Sequence, residues 1–287
     1  MHELGDYDHH HHAGNHGDVW KHCALAAWLR ALLDEARGPL RYLETHAGAG
    51  RYRLAKAGEW RDGIGRLLDG AEGVPARAEA PPAVEAFLQL FARVGIWNEL
   101  GRVYPGSPNL AQHLLGPDDR LVLCELAPRA LEILRAKLGG DGRVSVRAED
   151  GPAHLTPLLT EAEGAGLRPV VVIDPPYSEK GEWLAAGRSL ALARAARPDT
   201  ALFLWYPIVS RTRPNALLAE LGRAGVHGVA LELVVTPLAL RRQALNGSGV
   251  LLVDPPARAV AEIAAAGPWL GRALTTRGAW EARQITF

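Results

Sequence analysis

The chain lacks an excess of charge of either sign. Its 287 residues include 32 basic and 32 acidic side chains, so the formal net charge is zero. A strongly basic domain is the simplest signature of a nucleic-acid partner, and this sequence does not carry that signature. Local basic patches stay compatible with the composition, although only four of the basic residues are lysines.

Cysteines and long apolar segments are also scarce. Cys23 and Cys124 form no Cys-x-x-Cys pair and are expected to be small buried residues in a reducing compartment. No stretch approaches the roughly 20 apolar residues of a membrane span, and the N-terminus has no secretory signal pattern. These absences predict a soluble, cytoplasmic protein. The histidine run at 9–12 cannot face one ion from a helix, so no metal site is predicted.

Short apolar runs alternate with helix-like segments along most of the chain. Seven of these runs are expected to be strands: residues 40–50, 120–126, 143–150, 169–177, 200–207, 227–235 and 248–256. The alternation predicts βαβ units and a mostly parallel sheet with helices on both faces. The last two runs are separated by a short loop and could pair as an antiparallel hairpin at one edge of the sheet.

Residues 53–102 interrupt this alternation. They contain no convincing strand, whereas residues 81–100 have the periodicity of an amphipathic helix. We therefore predict an α/β protein whose core consists of residues 1–52 and 103–287. Residues 53–102 would form an inserted small helical subdomain.

Polar residues stand where the first four predicted strands end. Open α/β sheets bind their ligands beyond the carboxyl ends of the strands. These ends carry His46, Glu125, Asp150 and Asp174. The first strand is also followed by Gly48-x-Gly50, which lets a cofactor approach the backbone. The third glycine of a dinucleotide fingerprint is replaced by Arg53, so a simple tight turn is the alternative.

Three carboxylates around one cofactor disfavour a phosphate-rich group. S-adenosylmethionine carries a sulfonium and no phosphate, so it fits this set better than NAD does. Glu125 would hold ribose hydroxyls, and Asp150 would accept from an adenine amino group. The alternative role of both acids is N-capping of the helices that follow, because Pro128 and Pro152 lie close behind them.

The segment Asp174-Pro175-Pro176-Tyr177 ends the fourth predicted strand abruptly. Two prolines cannot continue a sheet or lie within a helix, so the turn is rigid. An exocyclic amine on a base is a poor nucleophile because its lone pair is delocalised into the ring. The Asp174 carboxylate and the Pro175 carbonyl would accept its N–H groups, so that the nitrogen can pyramidalise as it attacks. Tyr177 would stack on the base.

Several motifs, in order, resemble those of the RlmJ family, bacterial methyltransferases that modify N6 of one adenine in 23S ribosomal RNA. They are HAGNHGDVWKH (12–22), THAGAGRY (45–52), YPGSP (104–108), DPPY (174–177) and LWYP (204–207). The resemblance extends from about residue 7 to residue 270. It implies a Rossmann-like class I methyltransferase with a seven-stranded, mostly parallel sheet and the inserted helical subdomain. It also implies S-adenosylmethionine as cofactor and 23S ribosomal RNA as partner.

The resemblance also implies roles for individual residues. With the two glycines, the expected cofactor contacts are His22, His46, Gly48, Gly50, Ser107, Glu125, Asp150, Gly151 and Asp174. The catalytic group would be Asp174, with Pro175 and Tyr177 beside it. Tyr7, His9 and Lys21 match residues associated with the RNA and the active site. The sequence departs from the family pattern at Asp8 and His11, where a basic and an aromatic residue are expected.

Other interpretations stay open. DNA adenine or a protein glutamine amide offers the same amine chemistry, although no DNA-recognition module is visible. A non-catalytic RNA-binding protein would have no need of an intact DPPY motif, and an NAD oxidoreductase is least favoured. The second Asp-Pro-Pro, at 254–256, is followed by Ala257 and is expected to be a turn. Trp205 or Tyr206 could line the base pocket or pack in the core.

Under the RlmJ interpretation, the substrate would be protein-free RNA or an early assembly intermediate, and the enzyme would be a monomer.

Overall fold

The structure, a computed structural model, describes residues 9–98, 101–164, 166–240 and 244–287. Helices in these ranges are α1 (His9–His12), α2 (His16–Glu35), α3 (Ile64–Leu68), α4 (Pro82–Val94), α5 (Ser107–Leu114), α6 (Pro128–Leu138), α7 (Gly151–Thr160), α8 (Lys180–Ala196), α9 (Thr212–Arg223) and α10 (Ala257–Leu274). Short 3₁₀ turns lie at Glu59–Asp62, Arg77–Glu79 and Ala162–Gly164. Within the described ranges, no helix has the length and apolar character needed to cross a membrane.

Strands in the described ranges are β1 (Leu40–Glu44), β2 (Arg51–Arg53), β3 (Ile96–Asn98), β4 (Gly101–Pro105), β5 (Arg120–Cys124), β6 (Val144–Arg147), β7 (Arg168–Ile173), β8 (Ala201–Ile208), β9 (Val229–Val234), β10 (Gly247–Val253) and β11 (Glu281–Thr286). The central sheet has the order β11-β9-β10-β8-β7-β1-β5-β6. The strands from β8 to β6 are parallel, whereas β10, β9 and β11 pair antiparallel.

All seven predicted strands are present, but the predicted strand count is wrong because β11 adds an eighth. This strand reads Glu-Ala-Arg-Gln-Ile-Thr and is half exposed along its length. An edge strand can carry charged and polar side chains on both faces, so it lacks the apolar run that revealed the others. The predicted antiparallel pairing of β9 with β10 is confirmed. It does not form the edge, because β11 covers β9.

The sheet is covered on both faces, as the alternation of strands and helices predicted. Strands β1 and β10 are buried at every position. On one face they pack against α2, α4 and α10, and on the other face the sheet packs against α7, α8 and α9. Helix α2 begins at its N-cap Asn15, whose side chain accepts a bond from the Asp18 N–H. Both cysteines are free and buried, as expected.

The segment between β1 and β5 is more mixed than the sequence suggested. It contains the predicted amphipathic helix as α4, but the expectation that it lacks strands is wrong. Strands β2, β4 and β3 form a small antiparallel sheet. Each has three to five residues and incomplete burial, too short for a clear apolar pattern. Helix α4 shares one hydrophobic core with α2 and α10. The division of the chain at residues 53 and 102 stays a prediction.

Candidate active site

The carboxyl ends of β1, β5, β6 and β7 lie at one edge of the sheet. Backbone hydrogen bonds continue past the strands, from the Thr45 N–H to the Val172 carbonyl (3.1 Å) and from the Glu125 N–H to the Arg147 carbonyl (3.1 Å). The segments that follow the strands are therefore held in register. The structure brings to this edge the polar residues that follow these four strands: His46, Glu125, Asp150 and Asp174.

The loop after β1 turns at two glycines. Gly48 and Gly50 have φ angles of 61° and 70°, in the left-handed region that residues with a Cβ avoid. A Cβ on Gly48 would lie 2.2 Å from the Tyr52 hydroxyl, so a side chain there would have to displace Tyr52. The Gly48 N–H donates to Glu125 Oε2 at 2.7 Å, although 77 positions separate the two residues. The acid after β5 therefore lies against the glycine loop.

Glu125 is fixed by backbone donors. Its Oε1 accepts from the N–H groups of Leu126 (2.8 Å) and Ala127 (2.7 Å), in addition to the bond from the glycine loop. A carboxylate has about four lone-pair sites, two on each oxygen, so Oε2 can still accept from a ligand hydroxyl. The N-cap of α6 is Ala127, and the alternative role of Glu125 as that N-cap is therefore wrong.

Asp150 does act as an N-cap. It precedes α7, and its Oδ1 accepts from the Ala153 N–H at 3.1 Å. The side chain is exposed at the sheet edge, so capping leaves further acceptor sites for a ligand. A Cβ on Gly151 would lie 2.3 Å from the Thr45 carbonyl oxygen, so glycine lets α7 begin directly against the end of β1.

A buried acid that the sequence analysis missed ends β1. Glu44 is 1% exposed, and it accepts from the Tyr42 hydroxyl at 2.8 Å and from the Ser107 hydroxyl at 2.5 Å. Burial raises the pKa of Glu44 to about 8, although both hydroxyl bonds act to lower it. Ser107, a predicted cofactor contact at the start of α5, is thus oriented by Glu44. The position of Glu44 at a strand end, just before Thr45, is the sequence signal that could have identified this acid.

The two predicted cofactor histidines are uncharged at neutral pH. His22 is 2% exposed, and its Nδ1 lies 2.8 Å from the Tyr104 hydroxyl. Burial, together with the nearby Lys21 ammonium, lowers the pKa of His22 to about 3. Its Nε2 is buried without a partner among the described residues, an atom that a bound ligand could satisfy. His46 Nδ1 lies 2.8 Å from Thr45 Oγ1, and burial lowers its pKa as well.

The Asp174 carboxylate, at the end of β7, is held by a lysine from α2. Lys21 Nζ lies 2.8 Å from Asp174 Oδ2 and 2.8 Å from Asp18 Oδ1. The Lys21 and Asp174 side chains are only 12% and 13% exposed. Burial alone would lower the pKa of Lys21, but the two carboxylates outweigh burial and hold that pKa well above its usual value. Lys21 is therefore charged and contacts Asp174 directly.

Aromatic rings surround the end of the DPPY turn. The Tyr177 ring centroid lies 4.7 Å from that of Trp183 and 6.0 Å from that of Trp205. The Tyr177 hydroxyl donates to the Trp205 carbonyl at 2.7 Å. Tyr177 has a φ of 54°, unusual for a residue other than glycine, and Pro175 is buried. The Lys21 ammonium lies 5.3 Å from the Trp205 ring centroid, so cation, carboxylate and rings meet in one place.

Trp205 and Tyr206, both on β8, have different surroundings. Tyr206 is fully buried, and its hydroxyl donates to Glu232 Oε1 at 2.9 Å, so it belongs to the core. Trp205 is half buried beside Tyr177 and borders the site.

Of the predicted N-terminal contacts, Tyr7 lies outside the described residues, and His9 is the first residue of α1. In the described part of the chain, no three His, Cys, Asp or Glu side chains are grouped as a metal would require.

The groups at this edge fit S-adenosylmethionine. Two left-handed glycines admit close backbone contact, and Glu125 and Asp150 offer carboxylate oxygens to hydroxyl and amino groups. The unpaired Nε2 of His22 adds a buried polar atom. Acceptors of this kind suit a ligand with a sulfonium and no phosphate. The sheet order and this edge define a class I methyltransferase whose methyl donor is S-adenosylmethionine.

Comparison with known proteins supplies the family. The family model described as ribosomal RNA large subunit methyltransferase D, RlmJ, matches residues 37–286. The ribosomal RNA large subunit methyltransferase J of Escherichia coli (strain K12) is 33% identical over 273 residues, covering 95% of each chain. That of Haemophilus influenzae is 31% identical and covers 98% of each chain. The crystal structure of protein LPL1258 from Legionella pneumophila has a TM-score of 0.84 at 30% identity, covering 96% of this chain and 98% of that one. The chain belongs to the RlmJ family, and that prediction is confirmed.

Proposed function

We propose that the protein methylates the exocyclic N6 amine of one adenine in 23S ribosomal RNA. Membership of the RlmJ family supports a large-subunit ribosomal RNA substrate, because the family model and both relatives carry that substrate in their names. The observation that carries the amine chemistry is the Asp174 carboxylate, held at 2.8 Å by Lys21 in a rigid turn at the carboxyl edge of the sheet.

Asp174 would be the main acceptor for the amine. Its Oδ2 is engaged by Lys21, whereas Oδ1 has no hydrogen bond to any residue in the described ranges. Oδ1 would accept one N–H of the amine, and the Pro175 carbonyl would accept the other. With both N–H groups held, the nitrogen lone pair leaves the ring system and points towards the methyl group. Lys21 would fix the carboxylate so that Oδ1 faces the base.

Tyr177 would hold the flipped adenine by stacking. Its hydroxyl bond to the Trp205 carbonyl and its contact with Trp183 fix the plane of the ring. Stacking on a fixed ring orients the amine without reading the base through hydrogen bonds. Tyr7, His9 and Lys21 are the proposed N-terminal residues of the substrate site. Tyr7 and His9 would contact the substrate, whereas Lys21 would act on it through Asp174.

The cofactor would lie along the glycine loop. When bound, S-adenosylmethionine supplies an electrophilic methyl group. Glu125 would accept from ribose hydroxyls, and Asp150 would accept from the adenine amino group of the cofactor. The proposed cofactor contacts are those named from the sequence: His22, His46, Gly48, Gly50, Ser107, Glu125, Asp150, Gly151 and Asp174. The proposed partner is 23S ribosomal RNA, free of protein or early in assembly, and one chain would suffice.

The test is transfer of labelled methyl from S-adenosylmethionine to protein-free 23S RNA that lacks the modification. DNA and ribosomal proteins serve as parallel acceptors, and the labelled nucleosides are identified after digestion. We expect N6-methyladenosine from RNA alone and no product with Asp174→Ala. Label in DNA or protein would keep the amine chemistry and overturn the RNA substrate. Full activity of Asp174→Ala would overturn the catalytic role of the turn.

A further inference from the structure

A continuous series of polar contacts joins the segment between β1 and β5 to Asp174. It starts at Glu59, whose Oε2 accepts from Asn15 Nδ2 at 2.9 Å. Asn15 Oδ1 accepts from the Asp18 N–H at 3.0 Å. Asp18 Oδ1 then binds Lys21 Nζ at 2.8 Å, and the same ammonium binds Asp174 Oδ2 at 2.8 Å. The carboxylate at the site is thus linked through α2 to a surface turn.

Asp18 is the central member of this series. Its Oδ1 binds Lys21, and its Oδ2 accepts from the Gly14 N–H at 2.9 Å, so both oxygens are engaged. Gly14 is itself anchored, because its carbonyl accepts from the Ile64 N–H at 2.9 Å. The backbone before α2 therefore fixes the Asp18 carboxylate, and Asp18 in turn fixes the end of a long, flexible lysine side chain.

We propose that Asp18 is a positioning residue for methyl transfer, acting through Lys21 on the orientation and acceptor strength of Asp174. The proposal rests on the function proposed above for Asp174. Lys21 shares its ammonium between two carboxylates at equal distances. Without the Asp18 charge, the ammonium would bind Asp174 alone and draw more electron density from it. The lysine would also lose its second tether and sample more rotamers.

A purely structural role for Asp18 is the competing explanation. Asp18 is the acid in the first turn of α2, where a negative charge stabilises the helix N-terminus. Its loss could therefore lower stability without any effect through Lys21. The two explanations differ in one respect. A residue that acts through Lys21 has no effect on catalysis once Lys21 has been replaced, whereas an acid that only stabilises the helix N-terminus keeps its effect.

The experiment is a double-mutant cycle with Asp18→Asn, Lys21→Met and the double variant. Asparagine keeps an oxygen for the Gly14 N–H and removes the charge. The matched control is Asp34→Asn, on the same helix, where the acid pairs with Arg258 at 2.6 Å and is 58% exposed. For each variant we would measure kcat and KM for RNA methylation, the Kd for S-adenosylmethionine, and thermal unfolding.

Asp18→Asn is expected to lower kcat about tenfold while the cofactor Kd changes less than about twofold. In the Lys21→Met background, the same change is expected to alter kcat by less than about twofold. Asp34→Asn should retain wild-type kinetics. A wild-type kcat for Asp18→Asn would overturn the proposal, as would an undiminished tenfold loss in the Lys21→Met background.

A second measurement needs no substrate. Competitive acylation followed by mass spectrometry can compare the four lysines, at 21, 56, 137 and 180. Lys21 should be labelled most slowly in the wild type, and Asp18→Asn should raise its rate several-fold with Lys137 and Lys180 unchanged. An unchanged Lys21 rate contradicts the proposal. Inactivity of the wild type on RNA contradicts the proposed function instead, so the two failures are distinguishable.

Discussion

Two Asp-Pro-Pro turns in this chain lie at opposite ends of the strands of the same sheet. Asp174 follows β7, one of the parallel strands, and lies at their carboxyl edge. Asp254 follows β10, which runs antiparallel to β8. The last residue of β10 pairs with Leu202, near the start of β8, so this turn lies at the amino edge. The Asp254 Oδ2 atom lies 3.4 Å from Nη2 of Arg168, the first residue of β7.

The surroundings of the two acids differ as much as their positions. Asp174 is 13% exposed and bonded to Lys21, whereas Asp254 is 50% exposed. The left-handed residue is Tyr177 in the first turn and Asp254 itself in the second, both with a φ of 54°. In the second turn, α10 begins at once at Ala257. The comparison teaches that two features distinguish the candidate site from an ordinary turn. They are the direction of the strand that precedes the turn and the lysine that α2 contributes.

The largest expected difference comes from replacing each acid in turn. Asp174→Asn should lower kcat by about 1,000-fold, because an amide turned by Lys21 presents a donor where the amine needs an acceptor. Asp254→Asn should leave methyl transfer within about twofold of the wild type. Single-turnover methylation of RNA by both variants measures the contrast. Comparable losses from the two substitutions would show that the turn sequence itself matters and would undo the comparison.

A third strand-end acid, Glu44, tests what burial does when hydroxyls rather than a cation are the partners. Its pKa in the folded protein, about 8, lies above the usual value of 4.5. The protonated acid is therefore favoured by folding, and its contribution to stability is lost as pH rises from about 4.5 through 8. The unfolding free energy of the wild type should fall by a few kcal/mol relative to Glu44→Gln, because one pKa unit corresponds to about 1.4 kcal/mol.

Urea unfolding of both proteins between pH 5 and about pH 9 measures this difference. Glu85→Gln provides the control, because the Glu85 side chain is 36% exposed and its pKa is lowered by its bonds from Arg77 and Gln89. That variant should not reproduce the trend. A difference between wild type and Glu44→Gln that stays constant with pH would contradict the assignment of a raised pKa to Glu44.

The next effect concerns the aromatic residue that only the first turn possesses. Tyr177→Ala should reduce kcat/KM for RNA by roughly 10- to 100-fold, since base stacking on an aromatic ring contributes about 1–3 kcal/mol. Tyr177→Phe keeps the ring and loses the bond to the Trp205 carbonyl, so its loss should be about fivefold. Ala257→Tyr completes a second DPPY and should change nothing. Equal losses in Tyr177→Ala and Tyr177→Phe would contradict stacking as the main role.

Most of the fold could be predicted from the sequence because buried strands of a doubly wound sheet are apolar runs between helices. The exceptions have a common physical cause. Strands β2, β3 and β4 are short and partly exposed, and β11 is an edge strand with polar side chains on both faces. None of them needs an apolar run, since their order depends on pairing with a neighbour rather than on burial of both faces.

The sequence predicted which residues share the site better than it predicted the contacts between them. Strand ends indicate which residues share an edge, so Glu125, Asp150 and Asp174 could be grouped. The Lys21–Asp174 bond joins residues 153 positions apart on different elements, and no local pattern encodes it. Glu44 was missed because its hydroxyl partners come from β1 and α5, although its place at a strand end was visible.

The smallest expected effect is on stability and concerns the left-handed residue of each turn. Asp254→Gly should raise the unfolding free energy by no more than about 1 kcal/mol, since glycine adopts a φ of 54° freely but loses more entropy on folding. Tyr177→Gly gains the same relief and loses the contact with Trp183 and the bond to the Trp205 carbonyl, so it should destabilise. Urea unfolding of both variants measures the difference. A clear loss of stability in Asp254→Gly would show that the contact with Arg168 contributes more than the relief of the left-handed backbone. The acid of the second turn would then stabilise that turn through an ion pair, as Asp174 does with Lys21 in the first turn.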